Sequence, residues 1–271
     1  MSHSVVTTRS GASAILDHAT GEVMHPVVGP LVESARLYLE PAQLEARLRA
    51  GGATPLVLLD VGLGAGANAL GAWRLSESLP RDARPLEILS FDRTLRALSL
   101  ALAHAEAFHI DEAAAHAVRG LLADTHVETA RTRWRVHLGE LPATLADAPE
   151  ARADVVFWDP FSPRANPELW RCAAFSALRT RCNAGCTVHT YGGATATRAG
   201  LLLAGFDVGL GPVTGTGKRG TVATLAPATP PDALDARWLA RLARSSAPFP
   251  PDAPPDALAR IARRPQFAPR D

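Results

Sequence analysis

The stretch that decides the fold is Leu56-Val-Leu-Leu-Asp60-Val-Gly62-Leu-Gly64-Ala-Gly66-Ala-Asn68. An apolar run ending in Asp60 has the composition of a buried parallel strand, which reads as nearly continuous hydrophobe because both faces are covered. Three glycines then stand at alternate positions, where glycine lets the chain bend sharply and brings bare backbone against a ligand. The next residues, A-N-A-L-G-A-W-R-L, are compatible with a helix. Strand, tight glycine turn and helix in that order make a nucleotide-cofactor turn.

Two cofactor classes use such a turn. A dinucleotide site wants G-x-G-x-x-G/A opening the helix and an acid about 20 residues further on. Gly62, Gly64 and Ala67 fit that loosely, but Asp82, at the right offset, sits in the turn Pro80-Arg-Asp-Ala-Arg-Pro85. A site for S-adenosylmethionine wants an acid before the first glycine and a second acid closing the next strand. Asp60 and Glu87-Ile-Leu-Ser-Phe-Asp92 supply both. A carboxylate at Asp92 can accept from both ribose hydroxyls, and an ionised acceptor makes the stronger bond. The pattern therefore favours S-adenosylmethionine over NAD.

Outward from this turn, strands and helices alternate. Strands are expected at Leu56–Asp60, Glu87–Asp92, Arg133–Leu138, Val155–Asp159 and Thr187–Tyr191, with helical segments between them. That alternation predicts a parallel sheet with helices on both faces. A last pair, near Phe206–Leu210 and Thr221–Leu225, is joined by G-P-V-T-G-T-G-K-R-G, too short for a parallel crossover and so antiparallel. The expected fold is Rossmann-like α/β: a seven-stranded, class I methyltransferase sheet, mostly parallel with one antiparallel strand. One domain is expected over residues 1–271. Residues 1–50 form an N-terminal lid of short strands and an interrupted helix, 54–227 the core, and 228–271 a peripheral Pro/Arg-rich appendage.

Composition narrows the class. Of 271 residues 47% are hydrophobic, enough for a large core, and no run of 18 apolar residues could span a membrane. The N-terminus shows no basic-then-apolar secretory pattern, so a cytoplasmic protein is expected. Three cysteines, Cys172, Cys182 and Cys186, without C-x-x-C spacing, argue against a disulfide framework or a metal site. A net charge of +1 gives no global basic field for nucleic acid, and of 28 basic residues only Lys218 is lysine. Any RNA contact must use local cations.

The second informative stretch is D-V-V-F-W-D-P-F-S-P-R-A-N-P-E-L-W, Asp154–Trp170. In open α/β sheets ligands bind outside the carboxyl ends of the strands. Asp60, Asp92, Asp159 and the Gly139-Glu140 pair all fall at such ends, so they are candidate site residues. Arg164, Arg198, Lys218 and Arg219 are expected at the same edge, where a polynucleotide backbone could approach. Arg131, Arg133 and Arg135 alternate along a strand and read as a solvated face. His104, His109 and His116 lack metal-ligand spacing, whereas His25 and His189 could reach the mouth of the site.

The chain resembles the methyltransferase half of the bifunctional tRNA 5-methylaminomethyl-2-thiouridine biosynthesis proteins, the MnmC family. That family's glycine turn runs into an asparagine, as here from Gly64 and Gly66 to Asn68. Its D-G-F-A-P-x-x-N-P-x-x-W loop is matched by Asp159, Phe161, Pro163, Asn166, Pro167 and Trp170. A later A-G-F is matched by Ala204-Gly205-Phe206, and a basic glycine-containing loop by Gly217-Lys218-Arg219. Similarity covers about Leu56–Ala226, with a weaker stretch at Gly21–Leu39. Pro160 and Ser162 replace the family's Gly and Ala, Gly220-Thr221 stands where an acid is usual, and a stand-alone methyltransferase domain without the flavin-dependent oxidase half is expected.

The resemblance implies Asp60, Gly62, Gly64, Gly66, Asn68, Asp92, Gly139, Glu140 and Asp159 as cofactor-binding residues. Of these, the glycines and Asn68 would line the methionine part, Asp92 the ribose and Glu140 the adenine amino group. Asp159 would face the methyl acceptor as the catalytic group, with Phe161, Arg164, Asn166, Lys218 and Arg219 on the substrate. The implied activity is N-methylation of the 5-aminomethyl group of wobble uridine in tRNA by a stand-alone domain. Its amine would come from a separate flavin-dependent oxidase or another amine-generating enzyme. Holding amine and methyl in line can contribute roughly 7–11 kcal/mol, and Asp159 is suited to orient the amine and take its proton. Methylation of a small-molecule amine, aminopropyl transfer on a related fold, and a non-catalytic cofactor-binding module are the alternatives.

Overall fold

The computed structural model describes residues 2–25, 29–146, 148 and 152–268. Near the N-terminus, β1 (His3–Thr7), β2 (Ser13–Asp17) and β3 (Glu22–Val23) form a small antiparallel sheet. The main sheet holds β4 (Leu56–Val61), β5 (Leu86–Asp92), β6 (His126–Glu128) and β7 (Thr132–Leu138). It continues with β8 (Ala153–Trp158), β9 (Cys182–Thr190), β10 (Asp207–Val213) and β11 (Arg219–Thr224).

The strand order is β10-β11-β9-β8-β4-β5-β7-β6. The five expected strands, β4, β5, β7, β8 and β9, pair in parallel. β11 slots antiparallel between β9 and β10. The sheet has eight strands rather than seven, because β6 adds an antiparallel edge to β7. His-Val-Glu is too short to show the alternation by which a strand is read from sequence. Two strands thus run against the sheet instead of one.

Period-2 alternation divides the core. Leu56 and Leu58 of β4 and Val155 and Phe157 of β8 face a cluster containing Tyr38, Leu44, Leu70 and Val118. Leu59, Val61, Val156 and Trp158 face the opposite cluster, with Phe175, Leu201 and Phe206. Covering both faces is why these strands read as unbroken hydrophobe. The appendage joins the second cluster: helices Ala236–Leu242 and Ala257–Ala262 bury Trp238, Leu242 and Ile261 there. Gln266 pairs with both the N–H and the C=O of Val208, at 2.8 and 2.6 Å. No helix among the described residues is long and apolar enough to cross a membrane.

Because the five central strands are parallel, their carboxyl ends share one edge. Chain order reverses between β4 and β8, the switch point at which open sheets bind ligands. A cavity of about 980 Å³ lies there.

Candidate active site

The glycine turn is built by close approach. Gly62 leaves β4 at φ 89°, and a Cβ there would stand 2.5 Å from the Asp159 carbonyl oxygen. The chains leaving β4 and β8 therefore cross with no space for a side chain. Two residues on, the Gly64 N–H donates to Asp92 Oδ2 at 2.9 Å, and the Thr94 N–H reaches Asp92 Oδ1 at 3.3 Å. Asp92 thus pins the turn with part of its carboxylate while lining the cavity. Burial raises its pKa, against the pull of these backbone donors.

Asp159 follows β8 and lines the cavity with a side chain only 13% exposed. Asn68 Nδ2 donates to its Oδ2 at 2.7 Å, and His25 Nε2 lies 3.8 Å from the same oxygen. The other ring nitrogen of His25 is 3.2 Å from Glu33 Oε2. Fully buried Tyr38 stands close enough for its phenol and the Asp159 carboxylate to influence each other. Its hydroxyl makes no internal bond of ordinary geometry, and the oxygen itself is buried beside Asp159. Burial raises the Asp159 pKa, opposed first by His25. For His25 burial pulls downward, but Glu33 and Asp159 outweigh it and the net shift is upward.

Several expected site residues sit elsewhere. Asp60 does not line the cavity, which corrects its reading as a cofactor contact. It falls on the β4 face shared with Leu58, wholly buried, and accepts from Ser90 Oγ at 2.8 Å. Ser90 in turn accepts from Trp134 Nε1 at 3.0 Å. Burial lifts the Asp60 pKa to about 7, partly offset by Ser90. Gly66 is also off the cavity, opening the helix Ala67–Ser78 against Leu98 and Leu70. Asn68 reaches the site only through Asp159, since it is buried and outside the lining.

Among the expected substrate residues, Phe161, Asn166 and Lys218 line the cavity. Arg164 does not; it holds Glu22 Oε1 at 3.1 Å and the Thr20 carbonyl at 3.2 Å, tying the loop after β8 to β3. Arg219 bonds the Gly211 carbonyl at 2.7 Å and Asp232 at 2.5 Å, so it fastens the β10–β11 hairpin instead of facing a substrate. Arg198 is buried against Thr221 Oγ1 and the carbonyls of Arg219 and Gly220. His189 is buried too, with its pKa lowered by burial to about 3, and does not reach the mouth. Gly139 and Glu140 lie at the rim, where Arg93 bridges Glu140 at 2.8 Å and Glu168 at 2.7 Å.

Sequence reasoning passed over Tyr38 and Glu33 and left His25 undecided. They arrive on the N-terminal lid, whose docking has no local signature. Met24 marks that docking, its sulfur 3.1 Å from where a Gly64 Cβ would be.

A family model described as an S-adenosyl-L-methionine-dependent methyltransferase matches residues 106–226. The chain is 32% identical over 208 residues to the tRNA 5-methylaminomethyl-2-thiouridine biosynthesis bifunctional protein MnmC of Azoarcus sp. (strain BH72), covering 74% of this chain and 32% of that one. The protein of the same name from Methylibium petroleiphilum is 31% identical over 221 residues, with 78% and 33% covered. This chain spans about a third of the length of these relatives. MNMC2 from Aquifex aeolicus superposes with a TM-score of 0.75 at 25% identity, over 96% of this chain and 85% of that one. The chain carries an S-adenosyl-L-methionine-dependent methyltransferase domain, and over most of its length it is similar to the MnmC proteins.

The methyltransferase's own residues fit its cofactor. Gly62 and Gly64 bring bare backbone to the cavity wall, packed too closely against Asp159 and Met24 to carry a side chain. The buried Asp92 carboxylate keeps acceptor capacity toward the cavity, as a ribose diol requires.

Proposed function

We propose that this methyltransferase methylates a primary amine, and that the amine is the 5-aminomethyl group of the wobble uridine of a tRNA. One observation carries the reading. Asp159 is a buried carboxylate at a cavity wall, and its neighbours are an amide, an imidazole and an unpaired phenol. Such a site suits a cationic or proton-losing acceptor. The names of the MnmC relatives support uridine in tRNA as the carrier.

In this reading Gly62, Gly64, Asp92 and the Gly139-Glu140 rim hold the cofactor. The cofactor, when bound, supplies a methyl group on a positively charged sulfur, and only a neutral amine can attack it. Asp159 accepts the proton that the incoming ammonium must lose. Asn68 Nδ2, donating to Oδ2, keeps the carboxylate facing the cavity. The buried Tyr38 hydroxyl stands beside the Asp159 carboxylate and favours its ionised form. His25, between Asp159 and Glu33, balances the negative charge of the cluster. Pro160, Phe161 and Trp170 wall the acceptor side, with Trp170 Nε1 donating to the Phe161 carbonyl at 2.8 Å. A separate oxidase or another amine-generating enzyme would deliver the primary amine.

The deciding assay offers the protein labelled cofactor and tRNA bearing 5-aminomethyluridine at the wobble position. Label should enter that tRNA and not tRNA carrying unmodified uridine. One observation favours a small-molecule amine instead: Arg164, Arg198 and Arg219 are occupied internally, which thins the cations free to meet a backbone. Label entering free amines but not the tRNA would decide for that second reading.

A further inference from the structure

The cavity lining includes more than Asp92 and Asp159, and part of it offers donors instead of carboxylates. β9 ends at Thr190, and Tyr191-Gly192-Gly193-Ala194 leads into the helix Thr195–Leu203. Gly192 through Thr195, and Thr197, line the cavity. The helix has no side-chain cap at its start, so its first-turn N–H groups lack a side-chain acceptor. Thr197, in that first turn, is 2% exposed. Its hydroxyl has no hydrogen-bond partner among the described residues, although it faces the cavity. An unpaired hydroxyl on a buried residue, open to the cavity beside unpaired N–H groups, suits an oxyanion.

A cation stands on the hairpin that this loop packs against. A Cβ on Gly193 would lie 2.2 Å from the Arg219 carbonyl oxygen, so the loop backbone rests on the β10–β11 hairpin. Lys218, one residue before that contact, lines the cavity and makes no ion pair among the described residues. Arg219 is engaged with Asp232, which leaves Lys218 as this hairpin's free cation.

We propose that Gly193–Thr197 and Lys218 form a phosphate subsite, taking one backbone phosphodiester of the polynucleotide whose amine enters the cavity. This rests on the tRNA reading for its ligand, but not for its chemistry. The helix start and Thr197 hydroxyl receive two phosphate oxygens, and the Lys218 ammonium neutralises the charge. The amine is thereby anchored at both ends, by Asp159 and through its own backbone.

The test titrates the full ¹⁵N-labelled chain with inorganic phosphate and follows backbone amide shifts. Saturable shifts confined to residues 193–197, abolished in Thr197→Val and Lys218→Met proteins that melt like the parent, are expected. No saturable shift, or shifts that survive both substitutions, would overturn the subsite. A second arm measures tRNA affinity against salt, where Lys218→Met should flatten the log–log slope by about one unit and Thr197→Val should weaken binding at every salt concentration. Phosphate bound at this site with tRNA neither bound nor methylated supports the subsite and overturns the tRNA reading. tRNA methylated, with the slope unchanged in Lys218→Met and the affinity unchanged in Thr197→Val, leaves that reading standing and overturns the subsite.

Discussion

Replacing Asp60 with Asn tests both its burial and its separation from the cofactor. Asp60 is fully buried, with one oxygen on Ser90 Oγ and the other without a partner. Burial raises its pKa from 3.8 to about 7. In the unfolded chain the group titrates near its ordinary value, so between these limits the native state binds the extra proton. Stability then falls as pH rises, since the slope follows protons bound in the unfolded minus the native state. A shift of roughly 3 units at 1.36 kcal/mol each makes the native state about 4 kcal/mol less stable above pH 7 than below pH 4, from this group alone. Asn keeps the acceptor for Ser90 and cannot ionise. Urea unfolding of parent and Asp60→Asn at pH 5, 6, 7 and 8 should show a stability difference that moves in the variant's favour with pH. The cumulative change should approach 2–4 kcal/mol, on the order of the shift above. Cofactor affinity should change less than about threefold, below the scale of one lost charged hydrogen bond. A pH-independent difference would show that Asp60 is ionised at no unusual cost. A large loss of cofactor affinity with stability intact would return it to the binding site.

The other expectations concern the cavity. Asp92→Ala removes the acceptor for Gly64 and Thr94 as well as the ribose contact, and calorimetry should find cofactor affinity weakened by roughly 1.5–3 kcal/mol, about 10–150-fold. Asp159→Asn keeps the Asn68 contact but cannot take a proton; single-turnover methyl transfer should fall about 10²–10⁴-fold with the cofactor still bound. Wild-type rate would mean that the acceptor sits elsewhere. His25→Gln removes the positive neighbour of Asp159, so the carboxyl becomes harder to ionise and the acid limb of the kcat–pH profile should move upward by about one unit. A limb that stays put, or moves to lower pH, would remove His25 from the electrostatics of the site.

Much of the protein was legible because its signals are local. Of the five parallel strands, β4, β5 and β8 announce themselves by nearly continuous hydrophobe, a pattern imposed by burial on both faces, and β7 by its alternation. The glycine turn is legible because no other residue survives where the chains leaving β4 and β8 cross. Asp92 and Asp159 follow from their places at strand ends, since a parallel sheet gathers those ends on one edge whatever the details of packing. Other features depended on direction and docking, which spacing in a sequence does not carry. Asp60 stands one residue from the turn, yet the pleat aims it beneath the sheet while the backbone beyond it meets the cavity. Arg198 and Arg219 carry the charge expected of a polynucleotide contact, but nearby carbonyls and Asp232 had already claimed their guanidinium groups. Tyr38, Glu33 and His25 reach Asp159 across more than a hundred residues of chain, because only the folded lid lays them over the carboxyl edge of the sheet.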